Sequence, residues 1–202
     1  MIGSNQSVSP LLEFGSDYRT PARWIFPAGV RIGEFINNVA IRAFMRFHLI
    51  DRIVAVEHSK SLKAWKNLTL GEEYLGDHFP GFPVMPGVLM LHTLVEAGAW
   101  LLRLSSDYAN SVVVLREAKN IKYGTFMEPG KRMMIFVELV ENTNGMAVFK
   151  GKGETSAGGT TVSGRFTLCQ YNLADKNPAL ASVDHRLVSD LRQQEVVLRG
   201  TR

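Results

Sequence analysis

Cysteine is almost absent from this chain: Cys169 is the only one in 202 residues. No intrachain disulfide can form, nothing points to an oxidising compartment, and the expected setting is cytoplasmic. Runs of one charge are missing too. The 23 basic and 19 acidic residues are interspersed, and with aromatics at 9% there is no basic, aromatic-laced stretch of the kind that grips nucleic acid. The balance of +4 and the pI near 9.3 suit an acidic protein partner better. The longest apolar stretch, Val84 to Leu102, carries His92 and Glu96 near its middle and Pro86-Gly87 near its start. It reads as a buried helix, not a membrane span. The first twenty residues lack the basic start and apolar run of a secretory signal, and their acidic residues argue against a transit peptide. With neither an HExxH pattern nor a cysteine cluster, no metal site is expected. Internal repeats and low-complexity segments are absent as well.

What is present suits one globular domain with extensions: 46% hydrophobic and 21% charged residues can bury a real core. Residues 1–43, punctuated by Pro10, Pro21 and Pro27, read as an N-terminal extension without clear periodicity. Residues 44–172 read as the domain. HLIDRIVAVE and KSLKAWKNLT are β-rich runs around a polar turn at His58-Ser59-Lys60. Pro86-Gly87 then open an apolar helix, and four more strands follow: VVVLREAKNIKYGTFM, KRMMIFVELVE, MAVFKGKGET and TTVSGRFTLCQ. Short turns join the last four, so no βαβ unit can form. The pattern predicts an α+β domain in which an antiparallel sheet wraps one long central helix. Residues 173–202, with DHRLVSDLRQQE, predict a C-terminal tail or short amphipathic helix.

The strip from His78 to Leu89, HFPGFPVMPGVL, is similar to the HFPGxPxMPGVL signature of the FabZ-type and FabA-type 3-hydroxyacyl-[acyl-carrier-protein] dehydratases. Upstream, Leu49-Ile50-Asp51-Arg52-Ile53 and Lys66-Asn67-Leu68-Thr69 resemble that family's (L/V)(I/V)DR(V/I) and KNVT segments. Downstream, Glu117-Ala118-Lys119 through Glu128-Pro129-Gly130 resembles its KARFRRPVxPGD stretch. The likeness covers roughly residues 46–170 and implies a hotdog fold. It also implies a substrate carried on the phosphopantetheine of acyl carrier protein, with no metal or redox cofactor. The implied assembly is a homodimer or trimer of dimers, with His78 of one subunit facing position 92 of the other.

Such an elimination needs a base for the α-proton, a donor for the developing enolate oxygen and an acid for the departing hydroxide. His78 suits the base. Pro80, Pro83 and Pro86 stiffen the approach to the helix, while Gly81 and Gly87 let backbone come close to a substrate. The helix start at Gly87 and Val88 offers free N–H groups to a thioester oxygen, a role the resemblance also implies for Gly87. Phe79, Pro80, Met85, Gly87 and Val88 are the expected substrate-contacting positions. Met85, Met90, Met133 and Met134 are read as core or acyl-tunnel lining. A carrier-docking surface at Lys119, Lys122, Lys131 and Arg132 competes with a plain solvated strand face.

The third group departs from the family. Its members carry glutamate or aspartate fourteen residues after the histidine, where this chain has His92. Glu96 follows one turn later, at a position where the family commonly has glutamine. His92 can be the acid, helped by Glu96, or can be a helix histidine hydrogen-bonded to Glu96. Glu96 can replace the missing carboxylate, although a displacement of about 5.4 Å is large for catalysis. Or the site is retuned. That last account gives two rivals to a dehydratase: a hotdog acyl thioesterase using Glu96, and a weak acyl-binding subunit that pairs with a homologous, carboxylate-bearing chain.

Overall fold

The computed structural model describes residues 11–13, 23–25 and 48–200. The chain divides into a unit over Met1–Phe47 and a larger one over His48–Arg202. Within the first, β1 (Leu11–Glu13) and β2 (Arg23–Ile25) pair antiparallel, Leu11 opposite Ile25. The rest of the N-terminal extension expected over 1–43 lies outside the described residues.

The second unit holds six strands: β3 (Arg52–Glu57), β4 (Ser61–Asn67), β5 (Val112–Tyr123), β6 (Arg132–Thr143), β7 (Met146–Thr155) and β8 (Thr160–Tyr171). They form one antiparallel sheet in the order β3-β4-β6-β7-β8-β5. Helix α1 (Gly87–Ser105) packs against this sheet, touching β4, β5, β6, β7 and β8. This is the α+β architecture expected from the sequence, with each predicted strand present.

Alternation decides the faces. In β4, Leu62, Ala64 and Lys66 turn inward, while β6 turns Met133, Ile135 and Val137 inward and Met134 and Phe136 outward. Register shifts in β3, β5, β6 and β7 bend the sheet. Close approach does the rest. A Cβ on Gly151 of β7 would stand 3.0 Å from Leu94 and Phe166 atoms, and one on Gly98 of α1 would stand 3.0 Å from Phe166. Only hydrogen at these positions lets helix and sheet meet so tightly. Phe149 and Phe166 stack beneath them, centroids 5.2 Å apart. The 19-residue α1 is about 28 Å long and apolar enough to cross a membrane, but most of it is buried in the domain.

Beyond β8 the chain forms a second full helix, α2 (Ala181–Arg199), ended by Gly200 in the left-handed region. Leu198 is buried in the core and Val188 and Leu191 pack against it. The carboxylate of Asp184 accepts from the Ser111 hydroxyl and from the N–H groups of Leu173 (3.0 Å) and Ala174 (2.8 Å). The Tyr108 hydroxyl donates to Glu195 at 2.6 Å, and Arg192 pairs with Asp107 at 2.8 Å. The helix thus grips the α1–β5 connection at three points.

Candidate active site

His78 stands on the loop between a 3-10 turn, Glu73–Gly76, and α1. Its N–H donates to the Tyr74 carbonyl at 3.1 Å. Its Nδ1 lies 2.8 Å from the Val84 carbonyl oxygen. A carbonyl only accepts, so Nδ1 carries the proton, and in the neutral ring Nε2 keeps a free lone pair. Met85, 1% exposed, then donates from its N–H to the Met127 carbonyl at 2.8 Å, tying the loop's far end to the β5–β6 connection.

The tight turn between these anchors puts its conformational cost on an unexpected residue. Phe79 has φ 60° and accepts from the Phe82 N–H at 2.7 Å. A left-handed aromatic residue costs about 1–2 kcal/mol, and the ring is held 4.3 Å from the His78 ring. Gly81, which the sequence suggested for close approach, has open space around it.

Pro86 caps α1 without a side-chain hydrogen bond. The first intrahelical donors are Leu89 and Met90, both bonding the Pro86 carbonyl. The Gly87 and Val88 N–H groups therefore have no acceptor among the described residues, at the positive end of the helix dipole. The Tyr123 ring lies beside Gly87, 3.2 Å from where a Cβ would be. Phe82 and Phe126 meet edge to face at 5.8 Å. Phe79, Phe82, Val88, Tyr123 and Phe126 are each at least half exposed, an apolar rim around the histidine loop. Beside it β5 forms the sheet's edge, with Val114 and Leu115 exposed.

Glu96 occupies a different environment from the one its spacing suggested. Its side chain is 8% exposed. Oε2 accepts from the Leu49 N–H at 2.8 Å and the Ile50 N–H at 3.1 Å, and Oε1 lies 3.4 Å from His48 Nδ1. Both oxygens serve the segment that leads into β3. No hydrogen bond joins Glu96 to His92, which is partly buried one turn earlier. Further along α1, burial pushes the Arg103 guanidinium down to about 10, against the opposing pull of Glu96.

Of the basic residues considered for docking, Lys119 pairs with Glu117 at 2.9 Å and Lys131 with Glu128 at 3.0 Å. Arg132 donates to Asn67 and covers the Trp65 ring at 4.3 Å. Pro80 is exposed. Among the described residues no group of three or more His, Cys, Asp and Glu side chains converges as a metal site would require.

Residues 43–164, more than half of the chain, match the FabA-like domain model. The chain belongs to the FabA-like family. A 3-hydroxyacyl-[acyl-carrier-protein] dehydratase FabZ from Anaeromyxobacter sp. is 38% identical over 121 residues, spanning 58% of this chain and 75% of the relative. The FabZ of Myxococcus xanthus is 35% identical over 134 residues, covering 65% and 85%. Among solved structures, the dehydratase heterocomplex ApeI:P from Xenorhabdus doucetiae aligns with TM-score 0.53 at 14% identity, over 66% of this chain and 89% of that one. The hotdog fold of this FabA-like chain follows from that likeness and from its own sheet order. Helix α2 lies wholly beyond the matched segment.

Three features of the site escaped the sequence reading. These are the clasp of Glu96 on Leu49 and Ile50 and the neighbourhood of Tyr123 and Gly87, which join distant parts of the chain, and the inward-facing Lys66, whose partner Glu72 is near in sequence. Only the last left a trace, as a charged residue in phase with Leu62 and Ala64.

Proposed function

We propose that this FabA-like protein dehydrates 3-hydroxyacyl thioesters on acyl carrier protein to trans-2-enoyl thioesters, in fatty-acid or related lipid synthesis. The observation that carries the reading is the His78–Val84 hydrogen bond, which selects the Nδ1–H tautomer and leaves Nε2 as the lone-pair nitrogen of the neutral ring. Nε2 takes the α-proton. The thioester oxygen, gaining negative charge, accepts from the Gly87 N–H with Val88 beside it, and the helix dipole favours that charge. The C–O bond at the β-carbon then breaks, and a proton delivered to the leaving oxygen makes water. His92 of a second copy is the donor, since Glu96 has both oxygens engaged in its own chain. No metal or redox cofactor is required by this sequence of steps.

The backbone edge of β5, unpaired among the described residues and next to an apolar rim, supports the pairing of two copies that this reading needs. The protein would work in the cytoplasm with its substrate delivered on phosphopantetheine. Engagement of Glu96 weighs against the thioesterase alternative, which needs that carboxylate to activate water. It favours, as a second reading, an acyl-binding subunit that joins a homologue bearing a carboxylate at the position matching His92.

The test is direct. Purified protein, alone and with such a homologue, is incubated with 3-hydroxyacyl and with acyl carrier protein. Enoyl product is expected. Free acid without enoyl product would make the protein a thioesterase, and neither product under any condition would sink the dehydratase reading.

A further inference from the structure

We infer that the buried ion pair between Lys66 and Glu72 positions the His78 base, so that Lys66 is a positioning residue of the active site. The kinetic part of this inference rests on the dehydratase reading. Lys66 is the last inward-facing residue of β4 before the chain leaves the sheet, and it is 3% exposed. Its Nζ bonds Oε1 of Glu72, whose side chain is 21% exposed. A lysine in a core position bears a desolvation cost that an apolar side chain would not, so an ion pair here is weak evidence of a stabilising role.

The pair sits where it can set a loop. Glu72 bonds from its N–H to the Thr69 carbonyl at 3.3 Å and accepts at its own carbonyl from Leu75 at 3.0 Å. The next carbonyl but one, Tyr74, accepts the His78 N–H. From ammonium to catalytic histidine there are thus three consecutive links: Lys66 to Glu72, Glu72 to the 3-10 turn, and the turn to His78. The other end of the loop is already pinned by Met85 to Met127. Without Lys66, the 3-10 turn keeps its backbone bonds and the buried Leu75 but loses its one side-chain tie to β4. Proton abstraction tolerates little displacement, and a shift near 1 Å costs about 100-fold.

The experiment compares Lys66→Met, Lys66→Arg and Glu72→Gln with the wild type. Thermal melting, kcat and KM on a 3-hydroxyacyl carrier substrate, and nitrogen-15 NMR of the His78 ring tautomer are measured for each. Lys66→Met leaves the Glu72 carboxylate without its partner and is expected to melt below the wild type yet stay folded, while kcat falls about 10- to 100-fold. KM should stay within about threefold and the His78 ring should lose its single Nδ1–H tautomer. Lys66→Arg should recover most of kcat. A folded Lys66→Met protein with wild-type kcat and an unchanged tautomer overturns the inference. Should Lys66→Met fail to fold, Glu72→Gln decides by the same two readouts. An inactive wild type would refute the dehydratase reading instead, and the tautomer spectra would still decide the positioning role.

Discussion

Replacing Glu96 separates its two conceivable roles, because an amide can accept hydrogen bonds but cannot deliver a proton as a carboxylic acid does. In Glu96→Gln the amide oxygen can take over both N–H groups that Oε2 now accepts, those of Leu49 and Ile50. The loss is then charge assistance and the contact to His48, about 1 kcal/mol. In Glu96→Ala both N–H groups, on residues only 2% exposed, are orphaned. One lost bond to a charged group is worth about 1.5–3 kcal/mol, and with partial rescue by water the pair should cost about 3 kcal/mol. For a chain of this size that lowers Tm by about 6–12 °C. Differential scanning calorimetry and enoyl formation on the same samples provide the assay. Glu96→Gln should melt within a few degrees of the wild type and keep kcat within about threefold, with Glu96→Ala markedly less stable. A Glu96→Gln protein with wild-type Tm but turnover reduced 100-fold or more would refute this reasoning and make Glu96 the proton donor.

His78→Ala should abolish enoyl formation without lowering Tm appreciably, and residual turnover near the wild-type value would remove it from the base role. His92→Ala should reduce kcat by about 10²–10⁴ whereas His92→Glu preserves or raises it; full activity of His92→Ala would end its candidacy as the acid. Phe149→Ala, removing a ring stacked on Phe166 in the core, should cost about 3–5 kcal/mol in urea unfolding. Asp184 provides a pH test. Burial pushes its carboxyl up, but hydrogen bonds from Ser111, Ala174 and Leu173, with the nearby His185, outweigh this and hold it below the ordinary value. Its contribution should be complete above the unfolded pKa, near 4, and fade as pH falls through the lower folded one. Asp184→Asn should therefore flatten the acid limb of a Tm-against-pH curve, and an unchanged limb would contradict the assignment.

The strands and α1 were legible because each rests on local pattern. Alternation marks β4 and β6, and Pro86-Gly87 marks where α1 begins. The C-terminal helix was less so: its apolar contacts, Val188, Leu191 and Leu198, are thinly spread among charged residues. They become meaningful only once a core exists for them to meet. In the site, His78 and Gly87 could be picked out because the chemistry of a turn and a helix start is short-range. The partners of Glu96 could not. They are backbone N–H groups 46 and 47 residues away, and a peptide N–H leaves no mark in a sequence. Phe79 shows the converse limit, since the tight turn closed by the Phe82 N–H gives it a conformation that residue preference would assign to Gly81.

The grip of α2 on the α1–β5 connection has a practical corollary for anyone trimming the gene to its recognisable family core. The matched segment ends at residue 164, in the middle of β8, and even a cut at 172 would strip Ser111 of its acceptor, Tyr108 of Glu195 and the core of Leu198. The autonomous folding unit is therefore larger than the homologous one. Fusion partners and crystallisable fragments should be joined after Gly200, and libraries of chimaeras with other FabA-like proteins should exchange α2 together with the turn it holds.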